Sequence, residues 1–297
     1  MKALLFSCFI FPGLVALSCG RRVSSPGGAG LIEATVVDIS SQAAGQLKMM
    51  HFDEGQDIAM GDTIGIIDTV TVMLNLRQAQ AAETAAETRL LMASIAIKQS
   101  TYNLDLAGKE YERISALIKS GSANQQQFDQ AETAFKQAAL GREQADASLR
   151  AAQADVNQTK AQFALFQKQF DDCFPISPLN GIIVEKYIEP GELLTIGKPI
   201  IKIARLDTVW VKVYLSPADL ARISLGGQAK VDPEDGSHAP LDGSVSWISD
   251  QAEFTPKNVQ TKEARADLVY AVKVIVPNPD RILKIGMPAS VRINTSH

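Results

Sequence analysis

Gly45-Gln46-Leu47-Lys48-Met49-Met50-His51-Phe52-Asp53-Glu54-Gly55, continued through Gly61 to Ile67, occurs twice in outline in this chain. A displacement of 136 residues carries Gly45, Gly55 and Gly61 onto Gly181, Gly191 and Gly197. The same step lays Leu47 on Ile183, Phe52 on Ile188, Ile58 on Leu194, Ile64 on Ile200 and Ile67 on Ile203. So many glycines and apolar positions kept at one spacing mark an internal repeat. Each copy reads as short strands that turn at the glycines, as in Asp53-Glu54-Gly55-Gln56 and Glu189-Pro190-Gly191-Glu192, where glycine adopts a positive φ without steric cost. All six glycines are therefore expected as structural turns. Neither copy is large enough to close a core, so residues 32–70 and 171–204 are expected to pair as the halves of one β-sandwich.

Residues 71–170, between the copies, contain almost no Gly and no Pro and are rich in Ala, Gln, Leu, Glu and Lys, a composition that favours helix. Their apolar period is the heptad. Val72, Leu76, Ala79, Ala86, Leu90, Ala93, Ile97, Leu104, Ala107, Tyr111, Ile114 and Ile118 fall at a and d positions of a first arm, interrupted by Glu83 and Ser100. Phe128, Ala131, Phe135, Ala138, Ala145, Leu149, Ala152, Val156, Phe163, Phe166 and Phe170 do so in a second, interrupted by Arg142 and Thr159. Lys119-Ser120-Gly121-Ser122-Ala123-Asn124 joins the arms, a Gly-centred stop followed by an N-cap residue. The pattern predicts an antiparallel coiled-coil hairpin whose arms are each roughly 70 Å long.

From Arg205 on, the period shortens to two. Thr208-Val209-Trp210-Val211-Lys212-Val213-Tyr214-Leu215 alternates and is β-branched or aromatic, as a half-buried strand should be. Ser216-Pro217 opens a short helix, and further strands are expected at 227–232, 241–249, 268–276 and 287–294. Residues 205–297 thus read as a small β-barrel, which makes the whole an α+β multidomain chain.

Met1-Lys2 followed by the apolar run Ala3 to Leu17 and by Ser18-Cys19 has the form of a short export signal. Ala16-Leu17-Ser18-Cys19 has the outline of a lipobox, which makes Cys19 a candidate for lipidation, residues 1–18 the signal and 19–31 a linker. With Cys8 removed and Cys19 acylated, Cys173 has no partner for an intramolecular disulfide. It reads as a small buried hydrophobe.

Other chemistry is weakly supported. A net charge of -4 without a basic block argues against nucleic-acid binding. Gly191 to Gly197-Lys198 has one residue too many for a phosphate loop, and Pro199 stands where a magnesium-binding hydroxyl is needed. His51, His238 and His297 lack paired-ligand spacing, and Met49-Met50-His51 would point alternately to opposite faces of a strand. No metal, no cofactor and no catalytic residue is expected.

A sandwich split by a helical hairpin and followed by a barrel, behind a lipoprotein-like signal, resembles the periplasmic adaptors of Gram-negative efflux and secretion systems, the membrane fusion or hemolysin-secretion-D family. The residues that carry the resemblance are the paired lipoyl-like half-motifs, Glu54-Gly55-Gln56-Asp57 with Gly61-Asp62 and Ser177-Pro178-Leu179-Asn180-Gly181 with Glu189-Pro190-Gly191-Glu192. The segment Phe254 to Thr261, followed by Asp267 to Val274, looks like members that serve ABC-type exporters. The family's tip series of Arg, Leu, Ser and Asp is met here by Arg113, Leu117 and Asp129, with Asn124 in place of the Ser. The resemblance implies a periplasmic protein held at the inner membrane through a lipid on Cys19, assembled as a homo-oligomeric ring. It implies an inner-membrane exporter, with an ABC permease favoured, and an outer-membrane channel of the TolC type as partners. An adaptor of a proton-driven (RND-type) pump and a non-transport envelope coiled coil stand as alternatives. A lipoyl or biotinyl carrier would need an acceptor Lys in the hairpin that the coiled coil replaces.

Overall fold

The computed structural model describes residues 25–254 and 268–295. Two compact units share the chain, Val36–Arg205 in one and the residues up to Thr35 and from Leu206 on in the other. Cys19, the export signal, His297 and most of the segment from Phe254 to Asp267 lie outside the described residues.

In the first unit the repeat is visible in the element bounds themselves. Strands β2 (Gly45–Met50) and β3 (Asp57–Ile58) are matched 136 residues later by β5 (Gly181–Lys186) and β6 (Leu193–Leu194). β2 pairs with β6 and β3 with β5, so each half lends its strands to the other. The hydrogen bonds obey the same exchange. Gly55 N–H donates to Ile183 O at 2.8 Å and Gly191 N–H to Leu47 O at 2.7 Å, while Leu47 N–H donates to Glu192 O at 2.9 Å and Ile183 N–H to Gln56 O at 3.0 Å. Gly61 N–H reaches Ser177 O and Gly197 N–H reaches Ser41 O, each at 2.8 Å. β4 (Gly65–Ile67) lies beside β2, and the beginning of the long strand β7 (Pro199–Leu215) beside β5. The repeated apolar positions meet in one core of Leu47, Ile58, Ile64, Ile67, Ile183, Ile188, Leu194, Ile200 and Ile203, with Cys173 in the same cluster.

Four of the six repeat glycines are turn residues with positive φ, Gly55, Gly61, Gly191 and Gly197. Gly45 and Gly181 differ from expectation. They open strands, and what they provide is close approach: a Cβ on Gly181 would lie 2.6 Å from Ala204 O, and one on Gly45 2.9 Å from Ile67 Cγ2. Spacing alone does not separate a turn glycine from a packing glycine, because both are selected by the missing side chain.

Helices α1 (Val70–Lys119) and α2 (Gln125–Asp171) leave and re-enter this sandwich as an antiparallel hairpin. At 1.5 Å per residue the 50-residue α1 is about 75 Å long. The heptad positions of both arms are buried or half-buried along the seam, with Ala79, Ala86, Ala131 and Val156 fully covered, whereas Arg142 stays exposed. Small alanines let the arms approach closely, and Tyr111 stacks on Phe135 where they do not, ring centroids 5.5 Å apart. Gly108 faces the Phe135 ring, where an added Cβ would lie 3.4 Å from Cε2. Two ion pairs cross between the arms in this register, Arg89 to Asp155 at 2.6 Å and Lys160 to Glu87 at 3.4 Å.

The second unit is a barrel of β8 (Gln228–Asp232), β9 (Leu241–Phe254), β10 (Leu268–Pro277), β11 (Pro288–Ile293), the end of β7, and the start of β1 (Gly27–Ser40). Their order is β1-β11-β8-β9-β10-β7, and a β7–β1 pairing closes the ring. A short helix, α3 (Pro217–Leu220), begins at Ser216, whose Oγ accepts from Asp219 N–H. Gly27–Leu31, expected as linker, are instead strand residues paired with Pro288–Arg292. Gly27-Gly28-Ala29-Gly30 offers no hydrophobic alternation to read, yet its bareness is what fits it between two strands: a Cβ on Gly30 would stand 2.3 Å from Lys212 O. Without this strand the edges of β7 and β11 would be open. Asn278 is buried at the turn after β10, where its amide donates to Leu206 O and Leu283 O and accepts from Leu283 N–H.

Gly181→Ala should destabilise the protein by about 3 kcal/mol through overpacking. Gly191→Ala, with φ of +98° but nothing within 4 Å of the new Cβ, should cost about 1 kcal/mol. Urea unfolding of the two variants checks the order. Val156→Asp, at a seam position 2% exposed, should lower stability by about 3 kcal/mol, and Arg142→Asp by less than about 0.5 kcal/mol, read as thermal midpoints.

Candidate functional site

The hairpin bend is built by backbone chemistry. α1 stops because Gly121, at φ +76°, takes the left-handed conformation that a helix cannot continue. Ser122 N–H then closes back on Leu117 O at 2.8 Å and Gly121 N–H on Ile118 O at 3.1 Å, which satisfies carbonyls the helix leaves without partners. α2 opens with a capping box. Asn124 Oδ1 accepts from Gln127 N–H, and Gln127 Oε1 accepts from Asn124 N–H, both at 2.9 Å.

Around this turn the four expected tip residues divide by role. Asn124 is the cap, and its side-chain oxygen is committed to the fold. Leu117 is 39% exposed although its neighbours Ile114 and Ile118 turn into the seam. Arg113, one helical turn before it on the same face, is exposed and ion-paired with Glu110. Asp129, exposed on the returning arm, accepts from Gln125 Nε2 at 2.8 Å. Below them Tyr111, Phe128 and Phe135 pack together and stiffen the last turns. The bend therefore offers a cation, an apolar side chain and a carboxylate on a rigid mount, an arrangement suited to docking. Glu110 was not singled out from the sequence, though its i, i+3 spacing to Arg113 was the available signal.

The other candidate chemistry is placed elsewhere. Cys173 is fully buried, its Sγ 3.4 Å from Gln169 O, and burial pushes the thiol up from its ordinary pKa. That environment favours the inert reading over a reactive thiolate. His51 Nδ1 lies 2.9 Å from Thr63 O at the sandwich surface, and His238 pairs with Asp235 in the β8–β9 turn of the barrel unit. No cluster of metal-ligating His, Cys, Asp or Glu occurs among the described residues. Neither does a helix long and apolar enough to cross a membrane.

Residues 35–252 match the family described as RND MFP, barrel-sandwich hybrid domain. The chain belongs to this family of membrane fusion proteins, the periplasmic adaptors. A UPF0194 membrane protein of Yersinia pseudotuberculosis serotype O:3 (strain YPIII) is 29% identical over an alignment that covers 89% of this chain and 88% of the relative. Among solved structures, MacA from Actinobacillus actinomycetemcomitans superposes with a TM-score of 0.62 at 20% identity, over 92% of this chain and 79% of that one. The membrane fusion protein Spr0693 from Streptococcus pneumoniae R6 gives 0.56 at 18%, over 91% and 98%. These two share the fold: a barrel-sandwich hybrid, a long helical hairpin and β-rich sheets.

Asn124→Ala should cost about 1 kcal/mol of stability and Asn124→Ser almost none, since Ser restores the cap. Denaturant midpoints distinguish this capping role from a purely intermolecular one, for which neither change would move the midpoint.

Proposed function

We propose that this adaptor links an inner-membrane exporter, of ABC type, to an outer-membrane channel, and that several copies form a ring through which substrate passes. The observation that carries the proposal is the hairpin: about 75 Å of coiled coil ending in a self-sufficient turn that exposes Arg113, Leu117 and Asp129. A coiled coil needs only its seam to be apolar, yet α1 also exposes Leu91, Met92, Ile95, Tyr102 and Leu106 on its outer faces. Such a stripe suits lateral packing between copies. Cys19 supplies the membrane attachment as a lipidated N-terminus, and the work is positional, without bond chemistry.

The family description names RND pumps, so a proton-driven partner is the second reading. Co-purification decides between them: the ABC reading expects an ATP-hydrolysing permease to come down with the adaptor, and recovery of a proton-driven pump alone rejects it. A purely structural envelope coiled coil is disfavoured by the strand exchange that builds the sandwich.

Leu117→Ser combined with Arg113→Asp should abolish export and crosslinking to the channel, while expression, melting temperature and exporter binding stay at wild-type values. Wild-type transport by that double variant refutes the tip assignment. Cys19→Ala should lose incorporation of labelled lipid; retained labelling places the anchor elsewhere.

A further inference from the structure

Both of the chain's tryptophans stand on the outward face of the barrel. Along β7 the even residues Trp210, Lys212 and Tyr214 face out, while Val209, Val211 and Val213 fill the interior. Lys273 of β10 is in register with Lys212 on one side and with Trp247 of β9 on the other. Its ammonium lies 4.3 Å from the centre of the Trp210 ring, and Trp210 Nε1–H donates to Glu33 Oε2 at 3.1 Å. Trp247 is 44% exposed, Tyr214 43% and Leu31, on the same outward side of β1 as Glu33, 56%. Folding asks for polar residues on the wet face of an antiparallel sheet. Large aromatic rings interleaved with lysines are a different composition.

We propose that this barrel face docks on an anionic lipid surface. The chemistry of the face and the length of the tether both favour that occupant. Indole and phenol rings settle at the boundary between hydrocarbon and headgroups, lysine stems lie along apolar surface with the ammonium in the headgroup layer, and acidic lipids attract it. The chain as a whole carries -4, yet this face places Lys212 and Lys273 beside Trp210, whose indole engages Glu33, and the exposed Asp242 farther along β9 is paired with Lys230. The tether sets the distance. Seven residues lie between Cys19 and Gly27, where β1 begins, and the eight steps from one to the other reach at most about 28 Å when fully extended. A barrel so tethered stays beside the bilayer, at a high effective concentration for a weak second contact. The proposal rests on the membrane-attached reading above for that proximity alone; the composition of the face is independent of it.

The two tryptophans are themselves the probe. Protein beginning at Gly20, which lacks both the apolar run Ala3 to Leu17 and the acyl group, is mixed with vesicles of phosphatidylethanolamine and phosphatidylglycerol. Tryptophan emission should shift to the blue and resist acrylamide quenching, with partitioning that weakens as salt is raised. Lys212→Gln with Lys273→Gln should lower partitioning about thirtyfold. Lys212→Gln alone, which spares the Trp210 contact, should lower it about fivefold without changing the melting temperature. Equal binding to phosphatidylcholine vesicles, an unaffected double variant, or no binding would overturn the proposal. Protection of the tryptophans that arises only with detergent-solubilised exporter would also overturn it, since it assigns the face to a protein partner. None of these readings depends on channel crosslinking at the hairpin tip, so the two proposals fail separately.

Discussion

Eight hydrogen bonds that come in reciprocal pairs hold this molecule's organisation together, because neither half of the sandwich has a core until the other supplies one. Gly55 to Ile183 and Gly191 to Leu47 are the same bond seen from the two halves, as are Ser177 N–H to Asp62 O and Ser41 N–H to Lys198 O, both 2.9 Å. Two buried serines of the sandwich repeat the symmetry, Ser41 Oγ donating to Ala43 O and Ser177 Oγ to Leu179 O. Such bonds between segments far apart in sequence carry a loop-closure cost. The intervening hairpin reduces it, since two antiparallel helices of nearly equal length return the chain to where it left.

That dependence runs in both directions. The sandwich clamps the ends of α1 and α2 side by side, and the seam then needs only modest apolar contacts, many of them alanines, to stay closed over its length. The cross-arm pair of Arg89 with Asp155 is more than a third exposed on both sides and contributes little energy. The register that positions the bend is set by the seam itself, where Tyr111 stacks on Phe135 and the alanines pack. A slip of one heptad would leave the capping box at Asn124 intact but displace Arg113 relative to Asp129, so the exposed surface at the bend would change while the helices remained helices.

Electrostatics act here mainly as local fasteners. Lys186 bridges Asp53 of one half and Glu189 of the other, at 2.9 and 3.1 Å, and those carboxylates raise its pKa. In the barrel unit, Asp235 accepts from Ser237 N–H, His238 N–H and the His238 ring, which holds its carboxyl at about 2 and shapes the β8–β9 turn. Neither cluster sits in an enclosed cleft where a perturbed pKa would serve catalysis.

The sequence by itself determined the periodic features. Heptads over 71–170, alternation through Thr208–Leu215 and the 136-residue glycine repeat each express a regular geometry that a side-chain pattern must follow. The bend was equally legible, because Gly121 and Asn124 do local work that needs no distant partner. Tertiary structure decided whatever depends on contacts between segments. Gly45 and Gly181 became packing residues because neighbouring strands run against them, and Gly27–Leu31 became a barrel strand because β7 and β11 left an opening only a bare backbone could fill. Trp210, Lys273 and Trp247, too, are scattered in sequence, and only the register of β7, β10 and β9 gathers them on one face.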